Sequence, residues 1–321
     1  MSLSIFNARL LDPASGTDEV GAILIEEGCI TAISPGATGA HKGASETLDA
    51  GGLCLAPGLI DLRVKTGEPG DEQKETLATA SRAAVAGGVT SLVVMPDTKP
   101  VVDDVALVRY ISDRAKVSAK ARIYAAGALT TGLEGKAMAE IGLMADAGAV
   151  LFTNGDAPIG DPSILKRAMT YAASRGAIVM SRPDDNALKG SGVMNAGAFA
   201  ARKGLSGIPK EAEWIGAARD LMLAEATGCT LILDQVSTPR TLELVADSRA
   251  RGASVFTTIA AHSLFFNELD VGDYLTYCKV NPPFRDEDTR LAMIAALKAG
   301  EIDAVVSAHD PQPPEEKRLP F

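Results

Sequence analysis

Two cationic residues, Arg63 and Lys65, stand two positions apart near the end of the apolar stretch PGLIDLRVKTGEPG, residues 57–70. Side chains at positions i and i+2 of a strand point to the same face, so both charges are expected to leave a buried strand on one side. Charge in such a place is costly unless it is paired. The pair therefore predicts either an ion-paired plug or a pocket for an anion.

Few other residues could support hydrolytic chemistry. A metal site for hydrolysis needs neutral imidazoles and carboxylates, and the chain has only three histidines, His41, His262 and His309. We expect His41 to be solvated in an N-terminal loop and His262 to be partly buried on a loop. His309 and Asp310 are expected to form a hydrogen-bonded turn, with a remnant of a catalytic pair as the alternative.

The elements that must position these residues follow a regular alternation after residue 52. Eight short apolar runs alternate with Ala-rich helical stretches: LCLAPGLIDL, TSLVVM, RIYAAGAL, AVLFT, AIVM, CTLILD, ASVFTT and IDAVVSA. The segment STPRTLELVADSRARG has a Ser/Thr cap, an early Pro and a closing Gly, which is typical of a helix. Eight strand–helix units over about 250 residues predict an α/β fold, a (β/α)8 barrel. A doubly wound open sheet is the alternative, but no GxGxxG follows the first strand.

Residues 1–52 have a different pattern. Their short alternating segments, LSIFNARLLD, GAILIEEGCITAIS and SETLDAGG, predict the strands of a small β-sandwich-like domain. We therefore expect a small domain over 1–52 and the barrel over 53–321. In such a barrel, chemistry takes place at the carboxyl ends of the strands.

Composition limits the range of functions. The formal net charge of −10 argues against binding to nucleic acid or to anionic membranes. No apolar run approaches about 20 residues, and the N-terminus lacks the pattern of a signal peptide. Four scattered cysteines, with no CxxC pair, are expected to be reduced, and Cys29, Cys54 and Cys229 to lie in the core. A cytoplasmic protein is the expectation.

Several segments in order resemble the dihydroorotase branch of the amidohydrolase superfamily, which includes hydantoinases and allantoinases. They are APGLIDLRVKTGEPG, AGGVTSLVVMPDTKP, VSTPRTLELV, KVNPPFR and HDPQPPEEK, and the resemblance covers nearly the whole chain. It implies a barrel of the metallo-dependent hydrolase kind, zinc as the metal, and the interconversion of carbamoyl aspartate and dihydroorotate in pyrimidine biosynthesis. Family members continue past strand eight, so the last barrel helix and the C-terminal part of the small domain are expected to be missing.

The positions that bind metal in this family carry other residues here, namely Arg63, Lys65, a position near Asn154, Ser181, Gln235 and Ala308. Ala308 also stands where the resemblance places the general base. The family's substrate-binding Arg falls on Gly67 and an Asn falls on Asp97, whereas Asn281 in the substrate loop and His309 are retained.

These replacements predict a site without metal and without catalytic residues. Arginine has no free lone pair, and Lys65 could bind a metal only after losing its proton. The acids Asp97, Asp156, Asp184 and Asp310 lie near strand ends and are candidate partners for the two cations. What remains of the pocket would consist of Arg63, Lys65, Asp97, Asn281, His309 and Asp310.

Three hypotheses for function follow. The first is a catalytically inactive dihydroorotase-family protein kept for structure or assembly, either as a homo-oligomer or with aspartate carbamoyltransferase, the partner that the resemblance implies. The second is a working cyclic-amide hydrolase, an active dihydroorotase or a relative of it, with a rebuilt or single-metal site. The third is a binding protein that senses a pyrimidine intermediate.

Overall fold

In a computed structural model, all residues 1–321 are described, and they form fifteen strands and ten α-helices. The strands are β1 (Ser2–Asp12), β2 (Thr17–Glu26), β3 (Cys29–Pro35), β4 (Glu46–Asp49), β5 (Cys54–Leu55), β6 (Leu59–Val64), β7 (Val89–Val94), β8 (Arg122–Ala128), β9 (Leu151–Thr153), β10 (Val179–Ser181), β11 (Met194–Asn195), β12 (Gly207–Ile208), β13 (Leu231–Leu233), β14 (Val255–Ala260) and β15 (Ala304–Val306). The helices are α1 (Leu77–Ala86), α2 (Val105–Ser118), α3 (Ile141–Asp146), α4 (Pro162–Ser174), α5 (Asn186–Lys189), α6 (Ala198–Lys203), α7 (Lys210–Thr227), α8 (Pro239–Ala250), α9 (His262–Phe265) and α10 (Glu287–Lys298).

The chain divides into two units, Met1–Leu59 and Ile60–Phe321. In the first unit, one sheet has the strand order β3-β2-β1-β4, and β5 also pairs with β1. Strands β1, β2 and β3 are antiparallel neighbours, whereas β1 and β4 are parallel. The domain boundary at residue 52 stays a prediction.

The cysteines correct one expectation. All four are free, and Cys229 is buried as predicted, but Cys29 and Cys54 are exposed. Cys29 opens β3, whose residues are all exposed or half-buried, and Cys54 lies in a two-residue strand. An apolar strand pattern does not say which face of a small sheet is covered, so the prediction that these two cysteines lie in the core was wrong.

The second unit is the predicted barrel. Eight strands form one sheet in the order β15-β14-β13-β10-β9-β8-β7-β6, and the pairs are parallel. Val64 and His309 form a further parallel bridge, in which the Lys65 N–H donates to the His309 carbonyl at 2.8 Å. This bridge joins the two ends of the sheet, so the barrel is nearly closed.

Local sequence sets where the barrel helices begin. Thr238 precedes α8, and Pro239 stands in its first turn, where the missing N–H costs nothing. Thr76 caps α1, because its hydroxyl oxygen accepts from the Thr79 N–H and the Thr79 hydroxyl oxygen accepts from the Thr76 N–H. Both helices therefore start directly after the loops that carry strand-end residues.

The core lies in two layers. Within the sheet, a small cluster of inward side chains fills the barrel: Val93, Met95, Ala126, Leu151, Met180 and Ile232. A much larger cluster packs between strands and helices, including Phe152, Leu165, Met169, Leu231 and Ile259. This packing fixes the strands, and hence the positions of the side chains at their carboxyl ends.

No helix of the chain has the length and apolar character needed to cross a membrane.

Candidate functional site

Three cationic side chains converge on one carboxylate at the carboxyl ends of the barrel strands. Arg63 Nη2 donates to Asp156 Oδ1 at 2.5 Å, and Arg182 Nη1 donates to the same oxygen. Lys65 Nζ donates to the other oxygen, Asp156 Oδ2. Arg63 and Lys65 thus share one face, as the i, i+2 spacing predicts, and Arg182 joins them from the end of β10.

The members of this cluster fix one another's charge. Burial alone would raise the pKa of Asp156, but the charges of Arg182, Arg63 and Lys65 outweigh it and hold that pKa well below its usual range. Burial lowers the pKa of Lys65, yet Asp156 and the neighbouring Asp97 raise it above its ordinary value. Lys65 is therefore protonated at neutral pH and offers no lone pair to a metal.

Further carboxylates complete the neutralisation of Arg63 and Lys65. Lys65 Nζ lies 2.7 Å from Asp97 Oδ2 and 3.4 Å from Asp310 Oδ2. Arg63 Nε donates to Asp234 Oδ2 at 2.6 Å, and both of those side chains are buried. The prediction that acids on other strand-end loops neutralise Arg63 and Lys65 is confirmed.

Asp184 is the candidate acid that does not contact this pair. It accepts from Lys189 Nζ at 3.1 Å, and its Oδ2 lies 3.7 Å from Arg182 Nε. Asn281 Nδ2 also donates to it at 3.2 Å. Asp184 therefore connects Asn281 to Arg182, which follows β10.

Arg63, Asp156 and Arg182 border a cavity of about 630 Å³. Gln235, Ala308 and His262 also line it. Gln235 and Ala308 have positive φ values of 56° and 54°, which non-glycine residues adopt at an energetic cost. Burial, together with the charges of Arg182 and Arg63, lowers the pKa of His262 to about 4, so its imidazole is neutral at physiological pH.

Asn154, Ser181 and His309, like Lys65 and Asp97, are not among the residues that line this cavity. Asn154 is buried, accepts from Thr130 Oγ1 at 2.6 Å and donates to two backbone carbonyls. Ser181 Oγ donates to Asp220 Oδ2 at 2.6 Å. His309 Nε2 is 2.7 Å from Glu75 Oε2. These contacts give Asn154, Ser181 and His309 structural partners.

Gly67 and His41 also have local explanations. An added Cβ at Gly67 would lie 1.8 Å from the Asp71 carbonyl oxygen, so this loop accepts no larger residue there. His41 is half-buried rather than solvated, and its ring nitrogens lie 3.0 Å from the hydroxyl oxygens of Ser4 and Ser34. The expectation of a solvated loop residue was wrong for His41.

The residues at this site do not fit zinc. Two guanidinium groups and one ammonium group surround Asp156, and no group of three or more His, Cys, Asp or Glu side chains is arranged to hold a metal ion. The four nearby carboxylates, Asp97, Asp156, Asp234 and Asp310, are turned to the three cations. A dication here would be surrounded by fixed positive charge.

Two members of the cluster, Arg182 and Asp234, were not predicted from the sequence. Arg182 follows Ser181 directly, and the one-residue shift decides which side chain reaches the cavity. The cation in SRPDD at a strand end was the available signal. Asp234, at the end of LILD, is the second missed residue, and it supplies the buried partner of Arg63.

Comparisons with known proteins agree on one family. A family model described as dihydro-orotase-like matches residues 52–241. Dihydroorotases of Desulforapulum autotrophicum and Geobacter sulfurreducens are 39% and 40% identical to the chain, over 100% of it and 75% of their own length.

Solved structures give the same architecture. The L-hydantoinase of Arthrobacter aurescens superposes with a TM-score of 0.84 at 26% identity, over 98% of this chain and 70% of that one. A D-hydantoinase from Bacillus sp. AR9 has a TM-score of 0.81 at 20% identity, over 99% of this chain and 72% of its own, and shows the fold alone.

Proposed function

The chain belongs to the dihydroorotase-like family, and from that membership we propose that it is a non-catalytic member whose role is structural. In this proposal the protein acts in pyrimidine biosynthesis, in the cytoplasm, as a subunit of an assembly. It binds no catalytic zinc and does not interconvert carbamoyl aspartate and dihydroorotate.

One observation carries the proposal: Asp156 is bound by Arg63, Lys65 and Arg182 together. Hydrolysis of a cyclic amide needs an activated water and a polarised carbonyl, which a metal supplies in this superfamily. Here Arg63 and Lys65 stand where the resemblance places metal ligands, and carboxylates hold both of these cations. Ala308, at the general-base position, has no group that could accept a proton.

The state of the rest of the barrel supports a structural role. All eight strands are present and the strand–helix core is closely packed, while only the strand-end chemistry is replaced. This is the pattern expected where fold and surface are under constraint and the pocket is not. We propose a homo-oligomer or a complex with aspartate carbamoyltransferase, the partner that the family resemblance suggests.

Activity is tested with purified full chain. Hydrolysis of dihydroorotate and the reverse cyclisation are followed by absorbance and by chromatography, and we expect no turnover above a heat-inactivated sample. The variant Arg63→His/Lys65→His should stay inactive, because Ala308 and Gln235 still lack ligand and base functions. Turnover that survives repurification and is abolished by Asn281→Ala would favour a rebuilt active site and contradict the proposal.

The structural role is tested separately. The chain is co-expressed with aspartate carbamoyltransferase from the same source and analysed by size exclusion with mass measurement. We expect co-elution at micromolar concentration, and a lower stability of the transcarbamoylase when this chain is absent. Separate elution, with transcarbamoylase stability and activity unchanged, would remove the support for this partner.

A further inference from the structure

The outer side of helix α7 carries an apolar row that the rest of the chain leaves uncovered. Ile215 and Met222 lie two helical turns apart, and 51% and 67% of their surface is exposed. Ala218 between them is half-buried, and Ala226 beyond them is exposed. Residues spaced i, i+3, i+7 and i+11 share one side of a helix, so these four form a single row. Such a row is typical of the contact between two helices.

The neighbouring helices widen this face. Each barrel helix follows its strand, so the strand order β13-β10-β9 places α8 and α4 on opposite sides of α7. Arg251 Nη2 lies 2.6 Å from Glu225 Oε1, which holds the end of α8 beside α7. Because α7 has 18 residues and is about 27 Å long, three such helices about 10 Å apart present roughly 500–800 Å². A standard interface buries about 800 Å² on each partner, so this face is large enough for one.

The two flanking helices differ in charge. Helix α4 contains no acidic residue, and its Lys166 and Arg167 are exposed and form no ion pair. The exposed charged residues of α8 are Glu243, Asp247 and Arg240, and Arg240 Nη1 already donates to Glu243 Oε2 at 2.6 Å. The apolar row of α7 therefore lies between a basic helix and a helix with an excess of acid.

This arrangement is complementary to itself in one of two possible pairings. With a two-fold axis along α7, the two copies of α7 are parallel, and α4 of each copy faces α8 of the other. With the axis across α7, α4 faces α4, and two basic helices would meet. Like charges across an interface are costly, so the charges favour the parallel pairing. In that pairing Ile215 and Met222 each meet the same residue of the second copy, and the small Ala218 between them lets the helices approach closely.

We propose that the face formed by α4, α7 and α8 is the interface of a homodimer of this chain. Ile215 and Met222 lie at its centre, and the charges of α4 and α8 set its orientation. The inference deepens the proposed function by naming one partner, a second copy, and it rests on that function only for the purpose of the assembly. It uses none of the residues at the carboxyl ends of the strands.

Sedimentation equilibrium of the full chain measures this association. We expect a particle of twice the chain's mass at about 10 µM, as for an interface of this size. Met222→Glu sets two carboxylates against each other at the centre and should weaken the dimer at least about a hundredfold. Met222 is mostly exposed within one chain, so circular dichroism of this variant should match that of the parent. Val117→Glu, which puts the same acid at an exposed apolar position of α2, is the matched control and should leave the dimer intact.

Charge exchange tests the orientation. Lys166→Glu/Arg167→Glu should weaken the dimer about tenfold, and adding Glu243→Lys/Asp247→Lys to the same chain should restore it. A dimer that Met222→Glu leaves unchanged, or charge exchange without restoration, would overturn the proposal. A chain that stays monomeric at about 100 µM would also overturn it, even if this face bound a different protein. Turnover of dihydroorotate by a dimeric chain would contradict only the proposed inactivity, and an inactive monomer would contradict only the dimer.

Discussion

The guanidinium of Arg63 and the carboxylate of Asp234 form a buried ion pair, with Arg63 Nε 2.6 Å from Asp234 Oδ2 and only 4% and 5% of the two side chains exposed. The pair joins β6 to the end of β13 across the barrel mouth. Asp234 also accepts from Thr258 Oγ1 at 2.9 Å, which satisfies a second lone pair. Arg63, which stands where the family resemblance places a metal ligand, is thus part of the protein's internal packing.

Replacing Arg63 alone should lower the free energy of unfolding more than replacing Arg63 and Asp234 together. Arg63→Met leaves Asp234 buried without its cation, and we expect a loss of about 3–5 kcal/mol in the free energy of unfolding, measured by urea denaturation. Arg63→Met/Asp234→Leu should recover most of this loss, because no uncompensated charge remains. Arg251→Met, which breaks an exposed pair with Glu225, is the control and should cost less than about 1 kcal/mol. A single variant as stable as this control would contradict the buried pair.

The ion pairs of Asp156 should make the free energy of unfolding depend on pH in the acidic range. Its pKa is depressed in the folded chain, so its contribution is present above the unfolded pKa of about 3.9 and is lost as pH falls towards the folded value. Asp156→Asn should therefore be less stable than the parent at pH 7, and this difference should shrink below about pH 4. Unfolding curves between these pH values measure it; a difference that stays constant would show that Asp156 is not charge-paired.

The histidines His262 and His309 should titrate far apart in NMR spectra. Burial and nearby arginines lower the pKa of His262 to about 4. A hydrogen bond to Glu75 raises the pKa of His309, so its pairing stabilises the fold below the unfolded value of about 6.5 and is lost as pH rises through the folded value. Glu75→Gln should lower the pKa of His309 and leave that of His262 unchanged. If both imidazoles titrated at the same pH, the burial of His262 and the pairing of His309 with Glu75 would be contradicted.

Backbone strain at Ala308 predicts an unusual effect of a substitution by glycine on the free energy of unfolding. Ala308 has a φ of 54°, where a side chain costs about 1 kcal/mol that glycine does not. Ala308→Gly should be neutral or stabilising by up to about 1 kcal/mol in thermal unfolding. Ala304→Gly in β15 is the matched change in regular strand, and it should destabilise by about 0.5–1 kcal/mol. Equal losses in both variants would argue against strain at Ala308.

Much of the barrel is encoded locally. The eight apolar runs become β6–β10 and β13–β15, because parallel strands covered on both faces are mostly apolar, and this shows in the sequence. Exposure in the N-terminal sheet was not predictable in this way, as Cys29 shows, since it depends on which face receives packing.

Site residues within a strand could be predicted, because the two-residue period of a strand decides which face each side chain takes. Site residues in loops could not be predicted in this way. Arg63 and Lys65 share a face because alternate strand residues must. Arg182, one residue beyond Ser181, could not be placed from the sequence. A shift of one residue at a strand end decides whether a side chain enters the cavity or packs behind the strand. The paths of the loops likewise determine which acids pair with Arg63 and Lys65. Asp156 contacts both cations, whereas Asp184 contacts Lys189.

The zinc content of the protein as purified tests the central claim most directly. The chain is prepared without chelator in zinc-containing medium, and zinc per chain is measured by elemental mass spectrometry after gel filtration. Because three cations and their carboxylates fill the strand ends, we predict far less than one zinc per chain, also in Arg63→His/Lys65→His. About one or more tightly held zinc ions per unmodified chain would contradict the account.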